Sequence, residues 1–286
     1  MRVPVPLLDM WDRNGIKMSK LTQIASSDAK YLVYAKATYY PDFVRVFIPN
    51  QPYIRQVEGY EQELKLTSLS THVDAESYES NEERSLRRTR KAIKDYSLCN
   101  DFDIFATFTI AKDRYNDARS IRRVKTWFKN QRTRNGKFRY IIVAERHKDS
   151  ALHFHALIGE YKGRFTYAVS PNTGKYISDK HGDFVRNFDE YKLGINSAKI
   201  ISTSESKTKT AYYLQKYINK DMVIIFGKNR YWASKGLAKP PTEENPEGFY
   251  KVVEADRHWM IDHGTILEFD RNKHPLIDMF LEAHQL

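Results

Sequence analysis

The chain alternates short β-branched and aromatic runs with polar turns, and helical spacing appears in only three places. Residues 31–48 are rich in Tyr, Val, Phe and Ile around a central Pro41-Asp42, which predicts two strands joined by a short turn; Asn50-Gln51-Pro52 stops the second. Residues 66–82 are Ser/Thr-rich and polar and read as a loop. Residues 82–96 place Leu86 and Ile93 at helical spacing among many Arg and Lys, a basic helix. Residues 103–110 predict a buried strand. Ser120 is the expected cap of a helix whose apolar face is Ile121, Val124, Trp127 and Phe128. Two further strands, 138–144 and 152–158, flank the polar turn His147-Lys148-Asp149-Ser150, and 166–177 reads as a hairpin or loop. A helix is expected over 207–220, then short strands at 222–226 and 231–233 before Pro240-Pro241. Strands alternating with helices over 100–240 predict one α+β domain with a central sheet. The expected division is therefore 1–80, a β-rich extension of unassigned role; 81–240, the main domain; and 241–286, a tail.

Charge sharpens this picture. The 286 residues carry 47 Lys and Arg against 36 Asp and Glu, a net +11. Residues 81–140 hold 17 basic against 7 acidic side chains, whereas 241–286 hold 4 against 10, so the tail is acidic. Concentrated basic charge reads as a footprint for a polyanion, and Arg84, Arg87, Arg88, Arg90, Arg122 and Arg123 are its expected contacts. Aromatics interleave the basic residues, as on single-stranded nucleic-acid surfaces, although most fall at core spacing. With 41% apolar and 13% aromatic residues the chain is not disordered. A single cysteine, Cys99, excludes an intramolecular disulfide and a cysteine-only zinc site, and predicts a reducing compartment. The longest apolar runs fall far short of the ~20 residues that cross a bilayer. The start, with two prolines and an early acid, is not that of a signal peptide. The expectation is a cytoplasmic protein that does not engage a membrane.

Two constellations carry chemistry. His153-Phe154-His155 lies in the apolar run 152–158, and on a strand residues i and i+2 share a face, so both imidazoles project together. Glu145 ends the preceding strand, and a hairpin would bring it to the pair. A carboxylate with two imidazoles leaves coordination positions open and suits Mg²⁺ or Mn²⁺. His147 and Asp149 in the turn are weaker candidates. The second constellation is Tyr213, Lys216, Tyr217 and Lys220, one stripe of the expected helix, with Ala211, Leu214 and Ile218 on roughly the opposite face. A phenol of ordinary pKa, ~10, is a poor nucleophile; flanking Lys⁺ groups stabilise the phenolate, and a metal neutralises a phosphate under attack. Tyr212 points away from this stripe and reads as structural.

These residues resemble the HUH superfamily of rolling-circle replication initiators. The strand Phe105-Ala106-Thr107-Phe108-Thr109, the His153-Phe154-His155 pair and the helix stripe occur in that family's order and spacing. The two-tyrosine form is similar to initiators of microvirus-type phages and related plasmid Rep proteins, and Arg230–Leu237 resembles a segment that follows their nucleophile helix. The resemblance spans roughly 84–240. It implies a ferredoxin- or RRM-like core, a five-stranded antiparallel sheet with flanking helices. It also implies nicking and joining of single-stranded origin DNA through a 5′-phosphotyrosine, with the second tyrosine acting in termination. No Gly-x-x-x-x-Gly-Lys-[Ser/Thr] is present, so a host helicase and DNA polymerase are the implied partners. A relaxase or transposase with the same chemistry, a non-catalytic RRM-like binding module and a metal-dependent hydrolase are the alternatives.

Overall fold

The computed structural model describes residues 30–56, 81–179, 182–201, 204–215, 230–246, 250, 254–275 and 277. The chain divides into two units: Glu76–Lys239, and a second formed by Met1–Ala75 together with Pro240–Leu286.

In the first unit, helix α1 (Asn81–Cys99) buries Leu86, Thr89, Ile93 and Ser97, a stripe at spacings of three and four, and carries Glu82 and Glu83 in its first turn, where the helix dipole favours acids. Asn100 closes it: its amide donates to Tyr96 O and Ala238 O, both at 2.9 Å, and its oxygen accepts from Ala238 N. Strand β5 (Ile104–Thr109) alternates strictly, with Ile104, Ala106 and Phe108 buried on one face and Phe105, Thr107 and Thr109 partly covered on the other. Helix α2 (Asp117–Asn135) starts one turn before the expected Ser120. Asn116 is its cap, accepting from Arg119 N at 3.0 Å, and Gly136 at φ 85 ends it. Ser120 is instead buried inside the helix.

Strands β6 (Arg139–Arg146) and β7 (Leu152–Gly159) form the expected hairpin. They are buried on both faces because helices cover both. The α2 residues Val124, Trp127 and Phe128 pack with Phe108, Ile142 and Phe154 on one side. On the other side Leu86 and Ile93 of α1, with Leu214 of α3 (Ser204–Gln215), pack on Ile141, Val143 and Leu157. With β8 (Phe165–Tyr167), β9 (Arg186–Phe188), β10 (Asn196–Ile200) and β11 (Tyr231–Ala233) the sheet has the order β11-β6-β7-β5-β10-β9-β8, every pairing antiparallel. It is seven-stranded rather than five-stranded: β8 and β9 extend the edge beyond β10.

In the second unit β2 (Lys36–Tyr39) and β3 (Phe43–Pro49) are the expected hairpin, while β1 (Lys30–Val33) pairs with β4 (Tyr53–Gln56). The strand is interrupted between β1 and β2, where Asn245 Oδ1 accepts from Tyr34 N at 2.8 Å and Asn245 Nδ2 donates to Leu32 O at 2.6 Å. Strands β12 (Thr242–Glu244), β13 (Arg257–Ile261) and β14 (Gly264–Asp270) complete the sheet β12-β2-β3-β14-β13. Residues read as an acidic tail are thus sheet residues, and their acids are ion-pair partners. Glu244 meets Lys36 at 3.3 Å and Arg55 at 2.9 Å, and buried Glu268 meets Arg45 and, at 3.2 Å, Arg257. Among the described residues no helix is long and apolar enough to cross a membrane. The expected loop at 66–80 and strand at 222–226 lie outside the described residues.

Candidate active site

Strand register builds the site. Glu145 lies opposite His153, Thr107 opposite His155, and Thr109 opposite His153, so β5, β6 and β7 direct these side chains to the face covered by α1 and α3. His155 is only 6% exposed, with Nε2 3.0 Å from Glu145 Oε2 and Nδ1 3.2 Å from Thr107 Oγ1. Burial, then the neighbouring His153, pushes His155 down to about 3, so the ring is neutral and the Glu145 contact is a hydrogen bond rather than an ion pair. Burial also lowers His153 and raises the Glu145 carboxyl. Donation from Nε2 to Glu145, with the Thr107 hydroxyl donating to Nδ1, satisfies all three groups. A hydroxyl both donates and accepts. Thr107 therefore also serves the other tautomer, in which Nδ1–H donates to it and the Nε2 lone pair is free for a cation.

His153 is only partly exposed, and its ring stacks on His147 with centroids 4.2 Å apart and planes 14° from parallel. His147 in turn lies 3.3 Å from Asp149, which pairs with Arg114. The turn residues thus adjoin the histidine pair. With His153 against His147, no three His, Cys, Asp or Glu side chains converge on one metal position among the described residues. The donor chemistry nonetheless fits a hard divalent cation. Neutral imidazole and carboxylate are suitable ligands, and the 3.0 Å between Glu145 Oε2 and His155 Nε2 equals the edge of an octahedron with bonds of about 2.1 Å.

Helix α3 buries Ala211 and Leu214, as the helical pattern expects, and leaves Tyr213 half-exposed on the site face. The Tyr213 ring meets Phe105 edge-on, centroids 5.5 Å apart at 76°. Phe105 stacks on His155 at 6.0 Å and 12°. Three rings from three elements thus run from the helix to the buried imidazole. Tyr212 is equally exposed. Lys216, Tyr217 and Lys220 lie outside the described residues.

The expected DNA contacts separate. Arg84, Arg87, Arg88 and Arg90 are exposed on α1, the helix on the site face. Arg122 and Arg123 belong to α2 on the opposite face. Arg123 is engaged locally, donating to Lys112 O at 2.6 Å and pairing with Asp113 at 3.2 Å, while Arg122 is exposed. The sequence argument passed over Phe105 and Thr107 individually; their roles arise from register with a strand far along the chain.

Residues 103–222 match the model of a family described as replication-associated protein ORF2. That stretch runs from the start of β5 past α3 and supports a rolling-circle-type replication initiator family. No curated protein and no solved structure matches the chain.

Proposed function

We propose that this protein is a nicking and joining endonuclease of the two-tyrosine HUH type, acting on single-stranded origin DNA to start and end rolling-circle replication. One observation carries the reading: the line Tyr213–Phe105–His155, with Glu145 3.0 Å from the imidazole, brings a half-exposed phenol and a ligand-competent pair to one face of the sheet. The order β10-β5-β7-β6 of the central strands, with α2 between β5 and β6, supports a ferredoxin-like core.

In this reading the Tyr213 phenolate attacks the scissile phosphorus. The bond to the 3′ oxygen breaks, leaving a 5′-phosphotyrosine and a 3′-hydroxyl that primes synthesis. The phosphodiester energy stays in the covalent link, so joining needs no nucleotide cofactor. Tyr217, one turn on, is the second nucleophile, and Lys216 and Lys220 stabilise phenolate and phosphate. Glu145 and His155, with His153 beside them, would hold Mg²⁺ or Mn²⁺, which would polarise the phosphate. Thr107 fixes the imidazole, and Phe105 sets the height of the phenol above it. The exposed arginines of α1 bind the strand on this face. Host helicase and polymerase complete the replication step.

The test is covalent capture on a single-stranded oligonucleotide containing the origin, with Mn²⁺, followed by denaturing electrophoresis and peptide mapping. Tyr213→Phe and Tyr217→Phe each leave some adduct, and the double variant leaves none. His155→Ala abolishes the adduct and the calorimetric Mn²⁺ binding while most DNA affinity remains, because phosphate contacts dominate affinity. Adduct persisting in the double variant, or mapped to Tyr212, would sink the reading.

A further inference from the structure

The chain between β8 and β9 builds a feature that the nicking chemistry does not use. Three backbone segments meet in a closed ring of hydrogen bonds: Ala168 N to Val185 O at 2.9 Å, Val185 N to Ile177 O at 2.9 Å, and Ile177 N to Ala168 O at 2.8 Å. Three short antiparallel ladders radiate from this ring, through the pairs Tyr167 with Arg186, Val169 with Tyr176, and Ser178 with Phe184. The residue immediately before each junction position is aromatic: Tyr167, Tyr176 and Phe184. Their rings contact one another edge-on, with centroids 5.5, 5.6 and 5.9 Å apart. They are 48, 61 and 54% exposed, and Val169 and Ile177 beside them are exposed as well.

Exposed aromatic surface of this kind marks an interaction site. Its surroundings select the partner. Arg186 lays its guanidinium 5.7 Å from the Tyr167 ring centroid, and Lys175 is exposed next to Tyr176. The nearby acids Asp179 and Asp183 are both engaged by Lys199. What faces outward is π surface edged by cations, the chemistry that holds unpaired bases. The arms spring from β9, three strand spacings from the His155 strand in the same sheet, about 14 Å away.

We propose that Tyr167, Tyr176 and Phe184 form a base-stacking platform for single-stranded DNA beside the nicking site. This rests on the reading of the protein as a single-strand nuclease. The platform holds unpaired nucleotides by their faces without reading sequence, and Arg186 sustains it by its contact with Tyr167.

The test uses the full chain and two fluorescein-labelled probes of about 20 nucleotides, one of thymidine and one of abasic sites with the same phosphates. Anisotropy is read across a salt series. The wild type prefers the thymidine strand. Tyr176→Ala and Phe184→Ala reduce that preference by about 5- to 100-fold, the range found for loss of a stacked base, and leave the salt slope unchanged because no phosphate contact is lost. Tyr176→Leu keeps apolar bulk in the cluster and loses the preference equally, whereas Tyr176→Trp restores it. Equal binding of both probes by the wild type overturns the proposal, as does a preference retained in Tyr176→Leu. Altered sedimentation of the variants with unchanged DNA binding also overturns it and assigns the patch to a protein partner. Adduct capture at Tyr213 is scored on the same preparations: a lost platform with intact adduct refutes only the stacking, and lost adduct with intact base preference refutes only the nuclease.

Discussion

Phe105 is the residue through which the sheet and the helix share a site. Its ring stacks on His155 on one side and receives the edge of Tyr213 on the other. Phe105→Leu keeps an apolar side chain at a partly buried position, so stability changes little, but both ring contacts disappear. Displacement of a reacting group by about an ångström costs up to ~100-fold in rate. The expected outcome is adduct formation slowed about 10- to 100-fold, with calorimetric Mn²⁺ affinity unchanged because Glu145 and His155 are untouched. Unaltered adduct kinetics would show that Phe105 does not position the phenol. The histidine pair and the helix stripe were legible because each is a local spacing, two residues on a strand or three and four on a helix. Phe105 and Thr107 were not. Thr107 meets His155 across 48 residues of chain, and only the register of β5 against β7 makes it a partner. The stacking of His147 on His153 was equally hidden, because it depends on the conformation of the turn, where Ser150 sits at φ 68.

At the scale of elements, the start of α2 shows how a plausible cap is displaced. Ser120 directly precedes the apolar stripe, yet Asn116, one turn earlier, accepts from Arg119 N at 3.0 Å. The first turn, Asp117–Arg119, carries no large apolar residue, so periodicity could not register it. Opposite outcomes follow at the two positions. Asn116→Ala leaves the helix donors unpaired and costs about 1 kcal/mol. Ser120→Ala removes a buried hydroxyl that finds no hydrogen-bond partner among the described residues, and is neutral or stabilising. Urea denaturation of the two variants side by side distinguishes the caps; a larger loss at Ser120 would restore the sequence-based assignment. The three strands at 242–270 were missed for a related reason. Their acids dominated the composition, whereas in the sheet they neutralise Lys36, Arg45, Arg55 and Arg257.

For the whole molecule, linear charge density misled in a second way. The basic segment 81–140 looks like one footprint, but the sheet runs between its two helices and sends their arginines to opposite faces. Likewise the two ends of the chain, read as separate appendages, form one sheet in which β3 lies between β2 and β14. Each unit has its own core, which predicts two thermal transitions that respond to different substitutions. Asp256 reports on the unit formed by the chain ends. Its carboxylate accepts from Asp270 N at 2.7 Å and contacts Lys273 and His274, both at 3.0 Å. The Asp270 amide foremost, then Lys273, draws its pKa down from 3.8 to about 2. A carboxyl depressed by folding contributes stability that is fully present above its unfolded value and is lost as pH falls through its folded value. The contribution is therefore complete at neutral pH and fades between about pH 4 and pH 2. Asp256→Asn removes it. At pH 7 the variant's transition for this unit should fall by about 5–10 °C, the equivalent of one charged hydrogen-bond set in a domain of this size. The transition of the unit 76–239 should not move. As pH is lowered toward 2, the gap between wild type and variant should close. Differential scanning calorimetry from pH 7 downward makes the comparison. A gap that stays constant with pH, or one that moves both transitions together, would refute the linkage or the independence of the two units.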